Sequence, residues 1–170
     1  MQEHTGVITF SGNPLTLVGP QLKKGDAAPD ATLRDNDMKP VQLSSYRGKI
    51  CIISTVPSLD TPVCDMETRR FNTEAARMGA GTVILTVSMD LPFAQKRWCG
   101  AAGVDRVITL SDHMNAEFGT AYGVLIKELR LLSRTIFIVD PEGIIQYVQQ
   151  VKEITREPDY DAVLEALSKI

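Results

Sequence analysis

The stretch ICIISTVPSLDTPVCDMETRRFN, Ile50 to Asn72, changes its hydrophobic period part-way along. Its opening, Ile50 to Val56, is almost continuously apolar or β-branched, which suits a strand covered on both faces. Further on, Phe71, Ala75 and Met78 recur at i, i+4 and i+7, a helical stripe. Between strand and helix lie Pro57 and the pair Thr61-Pro62. Threonine is a good N-cap and proline is favoured at the first helical position, so the helix is expected to start at Pro62. Gly79 is placed to end it.

Working outward, more apolar or β-branched runs follow: Thr82 to Met89, Val107 to Leu110 and Thr135 to Val139. GIIQYVQQV adds a further strand with one polar side. Helical patterns fall between and after them. One is opened by Pro92, a short one covers residues 115–122, and one over 160–170 carries Val163, Leu164 and Leu167 on a single stripe. Strands alternating with helices indicate an α/β sheet flanked by helices on both faces. VDPEGII supplies a turn, so the last two strands are expected to pair antiparallel and make the central sheet mixed. Ahead of this unit, GVITF and PLTLVG flank Ser11-Gly12-Asn13-Pro14 and read as an N-terminal hairpin within residues 1–19. KKGDAAPDATLRDNDMKPVQLSSYRGK reads as loops with short extended pieces. With no repeat, low-complexity tract or linker, residues 1–170 are expected to form one domain.

The chain has 170 residues, 44% of them hydrophobic, enough for a real core. Lys and Arg number 18 against 21 Asp and Glu, a net charge of -3. That near balance argues against nucleic acid or an anionic membrane as the main partner. No run approaches the roughly 20 apolar residues that span a bilayer. The opening MQEHTGVITF lacks the pattern of a signal peptide, so a cytoplasmic location is expected. Cys51, Cys64 and Cys99 are the cysteines, an odd number with no CxxC pair, which points away from a disulfide scaffold. With only His4 and His113 beside them, no cluster has zinc-ligand spacing, and neither metal nor cofactor is expected.

Counted from Thr61 as N-cap, Cys64 is the third helical residue. Free backbone N–H groups and the helix dipole favour an anion there, and a thiolate is such an anion. The Thr61 hydroxyl is expected to point at the same position. Cys64 also follows the carboxyl end of a strand, where open α/β sheets place ligands. Asp60, Asp65 and Glu67 oppose a second negative charge, so a permanent cation is required. Arg69, Arg70 and a residue from elsewhere in the sheet are the candidates.

Cys99 lies near the end of the helix opened by Pro92, with Gly100 and Gly103 following as breakers. The dipole disfavours a thiolate there, while Lys96 and Arg97 favour one. Taken alone, Cys99 reads equally well as a half-buried thiol or a reactive one. Together, Cys64 and Cys99 could form a reversible pair, one oxidised to a sulfenic acid that condenses with the other. Cys51, inside the apolar run, reads as core.

PSLDTPVC fits the Pro-x-x-x-Thr-x-x-Cys signature, and the chain resembles the peroxiredoxins, thiol peroxidases built on the thioredoxin fold. PSLDTPVCDMETRRFN, DLPFAQKRWCG, LSDHMNAEFGTAYGV and the N-terminal hairpin are similar to the bacterial thiol peroxidase subfamily, an atypical two-cysteine type. The likeness extends over nearly the whole chain. It implies a peroxidatic role for Cys64, whose thiolate attacks the terminal peroxide oxygen, and a resolving role for Cys99 through an intramolecular disulfide. It also implies that Thr61 contacts thiolate and peroxide, that Pro57 shields the site, and that Arg134, in LSRTIFIVD, is the missing cation. Reduction by thioredoxin, turnover of hydrogen peroxide and alkyl hydroperoxides, and a homodimer come with the same resemblance. Cys51 has no part in that scheme.

Two other classes use related chemistry. A disulfide oxidoreductase of the same fold normally places two thiols at one helix start, and the absent CxxC argues against it. A peroxide sensor shares the first oxidation, and turnover with a reducing system separates the two.

Overall fold

The computed structural model describes residues 1–170. The chain opens with the expected hairpin, β1 (Glu3–Phe10) and β2 (Asn13–Val18). Ser11 and Gly12 turn it, both at positive φ, 49° and 82°, the geometry that matches the twist of a two-residue hairpin loop. β3 (Thr32–Arg34), β4 (Pro40–Gln42) and a 3-10 turn at Leu43–Tyr46 lead to β5 (Ile50–Thr55). Then come α1 (Pro62–Ala75), β6 (Thr82–Ser88), α2 (Pro92–Ala102), β7 (Ile108–Ser111) and α3 (Glu117–Ala121). β8 (Leu125–Ile126), β9 (Leu131–Leu132), β10 (Thr135–Val139), β11 (Ile145–Gln150) and α4 (Tyr160–Leu167) complete the chain.

The main sheet has seven strands in the order β11-β10-β5-β6-β7-β3-β4. β5, β6 and β7 are parallel, β10 pairs antiparallel with β5 and β11 antiparallel with β10, so the sheet is mixed as expected. Alternation along the strands splits the core in two. Cys51 and Ile53 point to one face, with Leu85, Val87, Phe137 and Val139, against Phe118 and Tyr122 of the α3 region. Ile52, Ile84, Ile136 and Ile138 point to the other, against Phe71 of α1 and Val163 of α4, with Trp98 and Ala102 of α2 packed at its margin. Both faces are covered. A mixed sheet with helices on both faces is the α/β architecture expected.

All four helices differ at a boundary from expectation, α4 closing at Leu167 rather than running to 170. α1 stops at Ala75, and its tail tightens: Arg77 and Met78 donate to carbonyls three residues back, Glu74 and Ala75, at 2.9 and 3.2 Å. Gly79 ends that tail rather than the helix. α2 runs through Gly100 and is capped by Gly103 at φ 66°, so one glycine breaks it, not two. α3 is short because Ala116 sits at φ 50° and the Asp112 carboxylate accepts from the Phe118 and Gly119 amides at 3.1 and 2.7 Å, fixing the start.

A second sheet, β1-β2-β8-β9, was not foreseen. β8 and β9 are two residues each, too short for any period to register, and they form by pairing, β8 with β2 and β9 with β8. No helix is long and apolar enough to cross a membrane.

Candidate active site

Topology creates the site. After β5 the chain crosses to β6 on one side, while β10 pairs on the other, so the carboxyl end of β5 is where the sheet order reverses. Open α/β sheets bind ligands at such a point. The loop from Pro57 to Thr61 leaves there and delivers the first turn of α1. Thr61 is the N-cap and Pro62 the first helical residue, as expected. The hydroxyl of Thr61, however, does not cap the helix: it donates to the Ser58 carbonyl at 2.8 Å and stiffens the loop. Pro57 is buried.

Cys64 lies fully buried against Val56, Leu59 and Trp98. Cys64, Glu67, Thr68 and Phe71 form one buried stripe at i, i+3, i+4 and i+7. That stripe turns a thiol and a carboxyl toward the sheet together. Arg134 meets them from the residue before β10, because Thr135 pairs with Thr55 and Arg134 shares its face with Ile136 and Ile138. Its Nη2 donates to Cys64 Sγ at 3.2 Å and its Nη1 to Glu67 Oε2 at 2.6 Å. Nε and Nη2 also donate to the Ile154 carbonyl at 3.1 and 2.8 Å. Ser54 donates to the other Glu67 oxygen at 2.8 Å.

Arg134 is only 2% exposed. Burial works against its charge, but Glu67 and Cys64 outweigh burial and hold the guanidinium above its usual range. Burial raises the Glu67 carboxyl, with Arg134 and Ser54 pulling against that shift. Arg134 is therefore a fixed cation shared by a thiol and a carboxyl. Arg69 and Arg70 are engaged elsewhere on α1, with Asp65 at 2.9 Å and Glu74 at 3.0 Å. The fork geometry of arginine suits this shared role, which a lysine could not fill.

Cys99 is half-buried on α2, with Sγ 3.5 Å from Thr109 Oγ1 on β7. Cys51 is buried, its thiol pushed up to about 11 by desolvation, and it behaves as core. All three cysteines are free. Glu67 figured in the sequence only as an opposing charge, although its place three residues after Cys64 marks it as sharing that face. The Ile154 carbonyl left no signal at all, since any residue supplies one. No group of three His, Cys, Asp or Glu side chains comes together as a metal site.

A thioredoxin-type sheet that sets a lone helix-start cysteine against a buried arginine marks a peroxiredoxin-type enzyme. The redoxin family profile matches residues 23–164, and the chain belongs to that family. It is 56% identical over 162 residues to a thiol peroxidase of Oceanobacillus iheyensis, covering 95% of this chain and 98% of the relative. A thiol peroxidase of Bacillus subtilis is 54% identical over 159 residues, with 94% and 95% covered. Among solved structures, a peroxiredoxin-like protein from Aquifex aeolicus superposes with a TM-score of 0.90 at 44% identity, with 98% of each chain covered.

Proposed function

We propose that the chain is a thioredoxin-dependent hydroperoxide reductase of one domain, in which Cys64 is oxidised first and Cys99 resolves it. The observation that carries this reading is the 3.2 Å contact between Arg134 and a fully buried Cys64 at a helix start. In the first step the Cys64 thiolate attacks the terminal peroxide oxygen. The S–O bond forms as the O–O bond breaks, and the departing oxygen takes a proton and leaves as alcohol or water. Arg134 and the free amides of the first turn of α1 stabilise the charge spread over both oxygens. Thr61 and the buried Pro57 wall the approach, so the peroxide is handled out of bulk water.

In the second step Cys99 attacks the Cys64 sulfenic acid, the S–S bond forms and water is released. Cys64 is tied to β10 through Arg134, and Cys99 to β7 through Thr109. The two sulfurs thus face different partners, on strands with β5 and β6 between them. For them to bond, the first turn of α1, the α2 segment or both unwind locally, as weakly held segments do. Thioredoxin then returns the disulfide to two thiols. A homodimer and a cytoplasmic location complete the reading, on the strength of the family resemblance.

The test is a peptide map under non-reducing conditions after one equivalent of hydroperoxide. A linked Cys64–Cys99 peptide with Cys51 free is expected. Cys64 ending as an unlinked sulfenic or sulfinic acid would remove Cys99 from the mechanism.

A further inference from the structure

Trp98, the residue before Cys99, is docked on Asp65, the residue after Cys64. Its indole Nε1 donates to Asp65 Oδ1 at 2.8 Å. Arg69 Nε donates to the other oxygen, Asp65 Oδ2, at 2.9 Å. Arg69 Nη1 reaches across to the Ala102 carbonyl at the end of α2, at 3.2 Å, and the guanidinium lies 5.8 Å from the Trp98 ring centre, within cation–π range. The ring itself packs beside Val56, Leu59 and Cys64. The two thiol-bearing segments are thus tied together through the neighbours of the thiols.

Helix geometry gives this tie a consequence. Successive helical positions are turned by about 100°. While Trp98 faces α1, Cys99 is turned away from it, toward Thr109 on β7. Cys99 comes round to Cys64 only when that side of α2 lets go of Asp65.

We infer that the Asp65–Trp98–Arg69 contact is a latch that withholds Cys99 and sets the lifetime of the Cys64 sulfenic acid. The inference rests on the two-cysteine reading proposed above. While the latch holds, a second hydroperoxide can reach the sulfenic acid. Its terminal oxygen is transferred to sulfur, giving a sulfinic acid, and the rest leaves as alcohol or water. Once the latch opens, Cys99 attacks the Cys64 sulfur, the S–O bond breaks, and the hydroxyl leaves with the thiol proton as water. Trp98, Asp65 and Arg69 are positioning residues that act through α2.

Rapid-quench mass spectrometry with hydrogen peroxide tests this on the full chain. Trp98→Phe keeps a ring in place and removes the N–H donor; Arg69→Met alters an exposed side chain and removes the bond to Ala102. In the wild type, a Cys64–Cys99 linked product must form; without it, the two-cysteine reading fails and the latch with it. Given that link, Trp98→Phe is expected to speed linkage roughly tenfold, the worth of one charge-assisted hydrogen bond, and to lower the sulfinic fraction at each peroxide concentration. Arg69→Met is expected to move both readouts the same way, by a few-fold. A merely structural role would lower the melting temperature and leave the ratio of linked to sulfinic product unchanged. Unchanged or slower linkage overturns the latch, and so does a slowed first oxidation, which would put Trp98 in the peroxide site. Should Trp98→Phe fail to fold, Arg69→Met decides alone.

Discussion

The Arg134 guanidinium stands between Cys64 and Glu67, with Nη2 3.2 Å from the thiol sulfur and Nη1 2.6 Å from the carboxylate. One cation therefore serves two groups that lie three residues apart on the same buried stripe of α1.

Arg134→Met should separate the two services. The first oxidation is expected to slow by about a hundredfold, the scale of losing one positioned donor at a developing charge. Stability should fall by about 3 kcal/mol, because Glu67 keeps only Ser54 as a partner inside the protein. Adding Glu67→Gln should recover much of the stability and little of the rate, as read by thermal melts and stopped-flow oxidation. Recovery of the rate in the double variant would mean that Arg134 works by restraining Glu67 rather than by holding the thiolate.

The three cysteines should divide cleanly. Cys64→Ser is expected to abolish peroxide consumption, and retained activity would end the central claim. Cys99→Ser should leave one oxidation per chain and stop cycling with thioredoxin. Cys51→Ala should leave turnover untouched and cost about 1 kcal/mol as a small core deletion, measured by denaturant unfolding.

Acid should loosen the N-terminal hairpin before it unfolds the sheet. Glu153 accepts from the Thr155 side chain and amide, the Gly12 amide and Thr9, and these bonds hold its carboxyl down to about 2. A carboxyl depressed in the folded state adds stability above its unfolded value of 4.5, lost as pH falls from there through about 2. The same hairpin exchanges backbone bonds with residues 152–154, through Thr9 N to the Lys152 carbonyl at 2.7 Å and Ile154 N to the Thr9 carbonyl at 3.0 Å. Amide protection at Gly12 and Ile154 should drop in that window relative to β5 and β6, and Glu153→Gln should produce the same drop at neutral pH. Uniform protection across the chain would refute the link.

Trp98 is the sole tryptophan and is half-buried beside Cys64. Its emission should shift to longer wavelength when the wild type is oxidised, as α2 lets go of α1, and return on reduction. Cys99→Ser, which cannot form the link, should show no such shift after one equivalent of peroxide. An identical shift in that variant would assign the change to the sulfenic acid itself.

Much of this was legible in the residues. The change of period within Ile50 to Asn72, the Thr61-Pro62 start and the turn in VDPEGII are local features, governed by torsion preferences and by the burial of neighbours along the chain. They placed Cys64 in the first turn of a helix behind a buried strand, and they set the antiparallel closing pair. The same local logic ran long toward Gly79, since α1 already tightens after Ala75, and short at Gly100, because a single glycine inside a helix weakens it without ending it. It missed β8 and β9, which have no period of their own and exist by pairing, β8 with β2 and β9 with β8.

What the chain order could not decide was which distant groups would surround the thiol. The need for a cation beside Cys64 followed from the local excess of acids, but its identity required the pairing of Thr135 with Thr55. Only that register carries Arg134 to the carboxyl end of β5. The Ile154 carbonyl, Ser54 and the docking of Trp98 on Asp65 depend in the same way on contacts between segments far apart in sequence. Backbone propensity and hydrophobic period act over one turn or one strand, so the residues themselves determine the elements and the place of the nucleophile. Charge pairing and the latch on Cys99 act through space, and only the packed sheet and helices settle them.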